Sequence, residues 1–288
     1  MEYYEAKVVM ITGAGSGLGL SLVQTLVCVP GCRIIACGRS EGRLRDAFGR
    51  YPQVSICTMD LEWSDSKISD TIHDAYRCHG PVDILINSAG VGFRGLIAET
   101  ISEVDRRVMQ VDYFGQVSVV KSFLSANKEK GSSRCHIIQI SSVQGYFGLA
   151  ERAPYAAAKH ALVGFIDSLR SEVDCLDHRS KCVVSLVSPG YIATNHSCNA
   201  ITGDGSLYAH RDETTVGGWS PDEVASRTLR EAALGKREII LADIKIKFLL
   251  LIRSVFPHLC FRLIRNRFQN SRQSTLSCIL KWLFGFDM

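Results

Sequence analysis

Residues 7–19 read Lys7-Val8-Val9-Met10-Ile11-Thr12-Gly13-Ala14-Gly15-Ser16-Gly17-Leu18-Gly19. An apolar run ends in a threonine, passes through glycines, and opens into the helical spacing of Leu18 to Val29. Such a run reads as a buried strand, a tight turn and a helix, the first half of a βαβ unit. Glycines let the backbone turn sharply and approach an anion closely. The helix start offers unpaired N–H groups and the positive end of the helix dipole. A glycine-rich run alone is also an ordinary turn. Set between a predicted strand and a predicted helix, it points to nucleotide binding, with Thr12, Gly13, Gly15, Ser16, Gly17, Leu18 and Gly19 around a pyrophosphate.

The same rhythm continues outward. Strand-like runs occupy Arg33 to Cys37, Val54 to Thr58, Val82 to Ile86, His136 to Ile140, Val183 to Val187 and Glu238 to Ala242. Between them lie helical patterns at Glu41 to Gly49, Asp65 to His79, Glu103 to Lys128 and Tyr155 to Leu176, and a capped helix start at Ser220-Pro221-Asp222-Glu223. Strands alternating with helices predict an α/β fold: a Rossmann-type, doubly wound parallel sheet with helices on both faces. One domain is expected over residues 1–243. The long segment from Tyr191 to Gly218, rich in Thr, Ser and Asn, is expected to be a functional loop or lid.

The end of the second strand reads Ala36-Cys37-Gly38-Arg39-Ser40. An NAD site of this kind wants a carboxylate here for the ribose 2′-hydroxyl. None is present. Gly38 leaves room for a phosphate, and Arg39, with Ser40 and Arg43, offers groups to bind one, so NADP(H) is the expected cofactor. The plain alternative is an exposed arginine at a strand end. Asp60, beside Leu61, is placed to accept from an adenine amino group. Asn87-Ser88-Ala89-Gly90 follows the fourth strand, with small residues that let the chain pass beneath a cofactor. For Asp60 and Asn87 a simple loop role stays open.

Tyr155 is followed four residues on by Lys159, and Ser142 lies thirteen residues before the tyrosine. On a helix, i and i+4 share a face, so a phenol and an ammonium stand side by side. A neighbouring cation favours the phenolate and lowers a tyrosine pKa of roughly 10 toward the working range. A nearby serine hydroxyl would hold a substrate oxygen. Taken alone, Tyr-Ala-Ala-Ala-Lys is equally an ordinary solvated helix face.

These motifs, together with Ser188-Pro189-Gly190-Tyr191-Ile192-Ala193-Thr194, occur in the order found in the short-chain dehydrogenase/reductase family, and residues 6 to 242 resemble it. The resemblance implies Tyr155 as general acid or base, Lys159 as its partner and ligand of the nicotinamide ribose, and Ser142 as holder of the substrate oxygen. It implies Asn87, Ala89, Gly90, Pro189, Gly190, Ile192 and Thr194 along the cofactor. The predicted helices Glu103 to Lys128 and Tyr155 to Leu176 would form the family's usual homodimer surface. One position departs. The family's Asn-x-x-Gly motif reads Asp112-Tyr113-Phe114-Gly115, so a carboxylate stands where an amide serves the proton relay behind the lysine. Catalysis is expected to survive with a shifted pH profile.

The chain has 288 residues, 46% hydrophobic and 22% charged, enough to bury a sizeable core and too apolar for disorder. Its 11 cysteines show no disulfide framework and no zinc spacing, which predicts reduced thiols inside the cell and no metal site. No secretory leader is expected, since the polar start passes directly into the first strand. The whole chain carries +4, yet residues 244–286 hold eight basic side chains and no acidic one, leaving −4 for the rest. Apolar and basic residues are mixed over this tail, 244–288, without the ~20-residue apolar run of a spanning helix. The tail is therefore expected to be helical and to touch an anionic membrane peripherally, at the endoplasmic reticulum or another organelle. The plain alternative is a helix pair packed on the body or a second subunit. A second segment set, Asn199-Ala200-Ile201-Thr202 and Glu238 to Asp243, resembles a membrane-associated branch of the same family. The expected substrate is an apolar, lipid or steroid-like small molecule bearing a hydroxyl or carbonyl. No nucleic-acid module is recognisable. The competing reading is a binding or scaffold protein that keeps the pocket without turnover.

Overall fold

The computed structural model describes residues 1–131, 134–176 and 181–269. Strands β1 (Val8–Thr12), β2 (Arg33–Gly38), β3 (Val54–Thr58) and β4 (Ile84–Asn87) are followed by a short β5 (Phe93–Arg94). Then come β6 (Arg134–Ile140), β7 (Lys181–Pro189), a short β8 (Ile201–Thr202) and β9 (Glu238–Leu241). Seven of these form one parallel sheet in the order β3-β2-β1-β4-β6-β7-β9; β5 and β8 pair separately. The order reverses between β1 and β4. In open α/β sheets ligands bind outside the carboxyl ends of the strands at such a reversal. The glycine turn, Arg39, Asp60, Asn87 to Gly90 and Ser142 follow the carboxyl ends of β1, β2, β3, β4 and β6 around that reversal.

Both sheet faces are buried, and the strands show it residue by residue. Val9, Ile11, Ile34, Ala36, Ile84 and Ile86 face one core; Val8, Met10, Ile35, Cys37 and Leu85 face the other. This is the period of two expected when a strand is apolar on both sides. The first core is completed by α1 (Gly17–Val27), α2 (Glu41–Phe48) and α8 (Pro221–Ala233), through Leu22, Leu26, Phe48 and Leu229. The second is completed by α3 (Asp65–His79), α5 (Gly115–Glu129) and α6 (Ala153–Leu176), through Ile72, Val120, Phe123 and Ile166. Caps set the helix starts. Ser64 Oγ accepts from Lys67 N–H at 3.4 Å, and Ser220 Oγ accepts from Glu223 N–H at 3.1 Å with Pro221 in the first turn.

Two features differ from the sequence reading, and the tail, as far as it is described, is helical as expected. The single helix expected over Glu103 to Lys128 is α4 (Ser102–Met109), a π-turn over Gln110–Phe114, and then α5. The π-turn carries Asp112, and such insertions recur at functional sites because the extra residue re-aims a side chain. The segment 191–218 is not structureless: β8 pairs in parallel with β5, and a one-turn helix α7 (Glu213–Val216) follows. The tail begins with helix α9 (Ile244–Val255), and residues 257–269 are also helical. Its last stretch, 270–288, lies outside the described residues.

The glycine turn after β1 is shaped by contact. Gly13 has φ +69°, and a Cβ there would stand 2.8 Å from Ala89 Cα in the loop after β4. A Cβ on Gly19 would overlap the Gly13 carbonyl. The first turn of α1 is thus pressed onto the glycine turn itself, leaving no side chain between helix start and cleft. Gly19→Ala is expected to cost about 1–3 kcal/mol through this overlap, seen as a lower urea midpoint with an unchanged m-value.

Candidate active site

The cleft is built from loops at the carboxyl ends of β1, β2, β4, β6 and β7. Its floor is a buried polar network. Thr12 Oγ1 donates to Asn87 Oδ1 at 2.7 Å and accepts from Ser88 N–H at 3.0 Å and Ala89 N–H at 3.1 Å. Asn87 Nδ2 donates to the Gln116 carbonyl and, at 3.0 Å, to Gln139 Oε1. Gln116 Nε2 donates to the Ala89 carbonyl at 2.8 Å. With every donor used, Thr12 and Asn87 position the loop rather than reach into the cleft; their side chains are fully enclosed. The network ties the β4 loop to β1, which keeps Ala89 and Gly90 against the glycine turn.

Along the other wall lies the uncapped start of α1. Ser16 occupies the N-cap without a side-chain capping bond, so the first N–H groups of the helix remain open to an anion. Thr194 faces them: a Cβ on Gly17 would meet Thr194 Cγ2 at 3.4 Å. Thr194 itself is set by the loop after β7, where Gly190 N–H donates to the Leu241 carbonyl at 2.9 Å and Ile192 bridges Trp219. At the end of β2, Arg39 is largely exposed, its closest carboxylate oxygen being Glu62 Oε1 at 3.9 Å, and Glu62 is already held by Arg107. Ser40 caps α2 by accepting from Arg43 N–H, which leaves its O–H free to donate. Asp60 braces its own turn through Glu62 N–H at 3.0 Å, and the Leu61 side chain belongs to the core. For Asp60 the loop role is therefore occupied by one oxygen, and Leu61 can meet a ligand only through its backbone.

The proton-transfer candidates converge as the spacing predicts. Ser142 stands near enough to the Tyr155 phenol to pull its pKa down, and its Oγ accepts from Gln144 N–H at 3.1 Å. Lys159 Nζ lies 5.5 Å from the Tyr155 ring centroid, one turn along α6. Behind it, 3.9 Å from Nζ, is Asp112 Oδ1 in the π-turn, which also accepts from Val91 N–H at 2.8 Å. Asp112 Oδ2 is buried and has no partner. Burial pushes the Asp112 carboxyl up to about 6, against the pull of Lys159 and the Val91 amide.

The electrostatics correct one expectation. The sequence suggests that a neighbouring cation lowers the Tyr155 pKa. In the folded chain burial, and then the charge of Asp112, hold the phenol above its ordinary value; Ser142, Arg94 and Arg152 pull the other way without prevailing. Tyr155 is therefore a protonated phenol, with a proton to give.

Four residues in the site escape sequence reading. Arg94 and Arg152 both bind Asp212 Oδ2, Arg94 Nε at 2.8 Å and Arg152 Nη2 at 3.2 Å, all three nearly buried. Burial, then the Arg94 charge, brings the Arg152 guanidinium down to about 10. This clasp fastens the segment before α7 to β5 and the start of α6, closing the long loop over the site. His196, on that loop, sets its ring 5.9 Å from Tyr155, edge-on. The residue as a whole is exposed, yet protein packed around its ring and the charges of Arg94, Lys159 and Arg152 bring it down to about 4, so it is neutral at physiological pH. No spacing rule finds these residues, because they lie on three segments far apart in the chain.

Comparison with known proteins follows the geometry. Residues 7–203 match the model of the short chain dehydrogenase family. Dehydrogenase/reductase SDR family member 7B of Bos taurus is 39% identical over 281 residues, 94% of this chain and 84% of that protein. Dehydrogenase/reductase SDR family protein 7-like of Drosophila melanogaster is 40% identical over 270 residues, 91% of this chain and 80% of its own. Among solved structures, a short chain dehydrogenase/reductase from Burkholderia phymatum in complex with NAD superposes with a TM-score of 0.77 at 22% identity, covering 90% of this chain and 96% of that one. A short chain dehydrogenase from Burkholderia cenocepacia in complex with NADP gives 0.73 at 22% identity, covering 91% and 98%.

Asp112 makes a testable difference. A carboxyl whose pKa is raised on folding favours the folded state below its unfolded pKa and loses that contribution as pH rises through its folded pKa. From the ordinary 3.8 to about 6, the loss is on the order of 3 kcal/mol. Relative to Asp112→Asn, the native chain is expected to lose about that much stability between pH 4 and pH 8, measured by urea unfolding across the range. A difference that stays flat with pH would show that Asp112 does not titrate there.

Proposed function

The chain belongs to the short-chain dehydrogenase/reductase family, and from that premise we propose that it is an NADP(H)-dependent oxidoreductase interconverting a hydroxyl and a carbonyl group on an apolar small molecule. The observation that carries the reading is the convergence of Ser142 and Lys159 on Tyr155, with Lys159 Nζ 5.5 Å from its ring, set beside the open start of α1. The residues fit a dinucleotide. Gly13, Gly15 and Gly17 carry no side chain into the turn, and the first N–H groups of α1 would take the pyrophosphate. Arg39, with Ser40 beside it and no carboxylate at the end of β2, favours the 2′-phosphate of NADP over a bare ribose hydroxyl. Lys159 and the Pro189 to Thr194 loop would flank the nicotinamide end.

When bound, the reduced cofactor supplies the hydride. The chain supplies the rest. Ser142 orients the carbonyl oxygen by donating to it, and Tyr155 delivers the proton that completes the alcohol. A phenol held in its protonated form suits the reducing direction. In oxidation the same phenol, once ionised, takes the proton from the alcohol. Tyr155, partly buried against Val91 and the Phe93–Val104–Val108–Ile201 cluster, gives the site an apolar wall. We place the protein inside the cell, at the endoplasmic reticulum or another organelle membrane, and expect a homodimer through α5 and α6.

One observation favours a second reading, a cofactor-binding protein without turnover: Asp112, whose outer oxygen has no partner, stands where the family's relay has an amide. Two measurements separate them. NADPH fluorescence should shift on binding, and a panel of apolar ketones should be turned over. Tyr155→Phe is expected to keep NADPH binding and lose roughly 10²–10⁴-fold in turnover. Wild-type binding with no turnover of any ketone would favour the second reading.

Cofactor choice is tested separately. Arg39→Ala is expected to weaken NADPH binding by about 10–100-fold and leave NADH unchanged, the loss of one charge-assisted contact to phosphate. Equal loss for both cofactors would overturn the assignment of Arg39.

A further inference from the structure

Helix α9 has two apolar faces, and among the described residues only one of them is covered. Ile246, Leu249 and Leu250 pack with Val143, Phe147 and Ala242, and Ile252 is buried. Val143 directly follows Ser142, so this inner face rests on the wall of the candidate active site. The opposite stripe is Ile244, Phe248, Leu251 and Val255, spaced at i, i+4, i+7 and i+11, and these are 78%, 60%, 59% and 57% exposed. Phe256 and Leu259 continue the exposed apolar surface into the next helix.

The surroundings say what covers that stripe. Lys245 and Lys247 stand exposed on its two flanks, and Arg262 and Arg265 are exposed on the helix over residues 257–269. Residues 244–269 contain no acidic side chain. A helix apolar on one side to protein and on the other to solvent, bordered only by cations, fits the boundary between acyl chains and anionic headgroups. Among the described residues no helix is long and apolar enough to cross a membrane, so the fit is to a surface. A second copy of this chain would bring the same cations against themselves across a twofold axis, which disfavours that occupant.

We infer that the outer face of α9 and the following helix seat this protein in the surface of an anionic lipid bilayer, with the active-site wall directly behind the seat. Arg267, at the far end of the second helix, donates to the Tyr191 hydroxyl at 2.9 Å, which joins this helical pair to the loop that flanks the cofactor site. The docked helices thus form a lip between lipid and cleft. In giving an apolar substrate its route, this rests on the oxidoreductase reading above; the docking itself does not.

The test is flotation of the full chain with vesicles of phosphatidylcholine alone and of phosphatidylcholine containing phosphatidylserine. The expected result is recovery with the phosphatidylserine vesicles only, reduced by high salt. Phe248→Glu/Leu251→Glu/Val255→Glu should abolish flotation, and Lys245→Glu/Lys247→Glu should reduce it several-fold, both with unchanged NADPH binding and thermal unfolding. A wild-type chain that floats with neither vesicle, or a triple variant that floats as well as wild type, overturns the inference. So does a triple variant that turns a dimer into a monomer in light scattering while flotation is unchanged, since the face then belongs to a second copy. Turnover of a water-soluble ketone, measured on the same samples without lipid, fails only if the enzymatic reading fails.

Discussion

A buried lysine and a buried carboxylate, 3.9 Å apart, hold the Tyr155 end of the cleft together. Asp112 Oδ1 is the point where three segments meet: the π-turn that carries it, the loop after β4 through Val91 N–H, and α6 through Lys159. A Cβ on Gly90 would stand 2.8 Å from that same oxygen, so the β4 loop approaches the carboxylate as closely as backbone can. Burying a charge costs free energy unless it is paired and hydrogen-bonded, and here one oxygen is satisfied while the other is not. The raised Asp112 pKa is the expression of that imbalance. Its reach extends to Tyr155, where the carboxylate adds to burial in holding the phenol protonated.

Two opposing groups of charge thus frame one tyrosine. Asp112 lies behind it and raises its pKa. Arg94 and Arg152 lie in front, share the single carboxylate of Asp212, and lower it. The clasp therefore has an electrostatic consequence besides fastening the loop: it leaves net positive charge facing the phenol, offsetting part of what Asp112 does. Beneath both groups, the Thr12–Asn87–Gln116–Gln139 network is neutral and nearly fully bonded, and a satisfied network of that kind in a dry floor is rigid. The cleft combines a fixed base with walls whose charge is finely balanced.

Much of this was legible in the sequence, for definite reasons. The sheet could be read because apolar runs on both faces leave the strands little polar alternation to obscure them, and the glycine turn because only glycine tolerates Gly13's geometry against Ala89. Ser142, Tyr155 and Lys159 could be placed because two lie on one helix at i and i+4. Three things could not be read. The π-turn has no local signature; its five residues continue a helical pattern, and only the packing of Gly115 against Leu61 reveals where the register changes. The Arg94–Asp212–Arg152 clasp joins residues up to 118 positions apart. The sign of the Tyr155 shift depends on burial, which a neighbouring lysine in the sequence does not report. Thr12 and Asn87 illustrate the reverse: their positions were found, but their role is to brace the loop.

Helix α9 shows why a composition reading and a packing reading have to be combined. The sequence reveals a tail both apolar and basic, which two arrangements would satisfy: packing on the body, or contact with lipid. The structure realises the first on one face of the helix and leaves the other face exposed, where the second would act. One face of the helix is spent on Val143, Phe147 and Ala242, and a 12-residue helix with a single apolar stripe would have nothing left to offer a membrane. The second stripe is what changes the conclusion. It lies between two lysines, on the side away from the body, and an exposed apolar stripe of that kind marks an interaction surface. Because the inner face touches Val143, the residue next to Ser142, whatever covered the outer stripe would bear on the candidate site through one helix, by direct contact rather than over a distance.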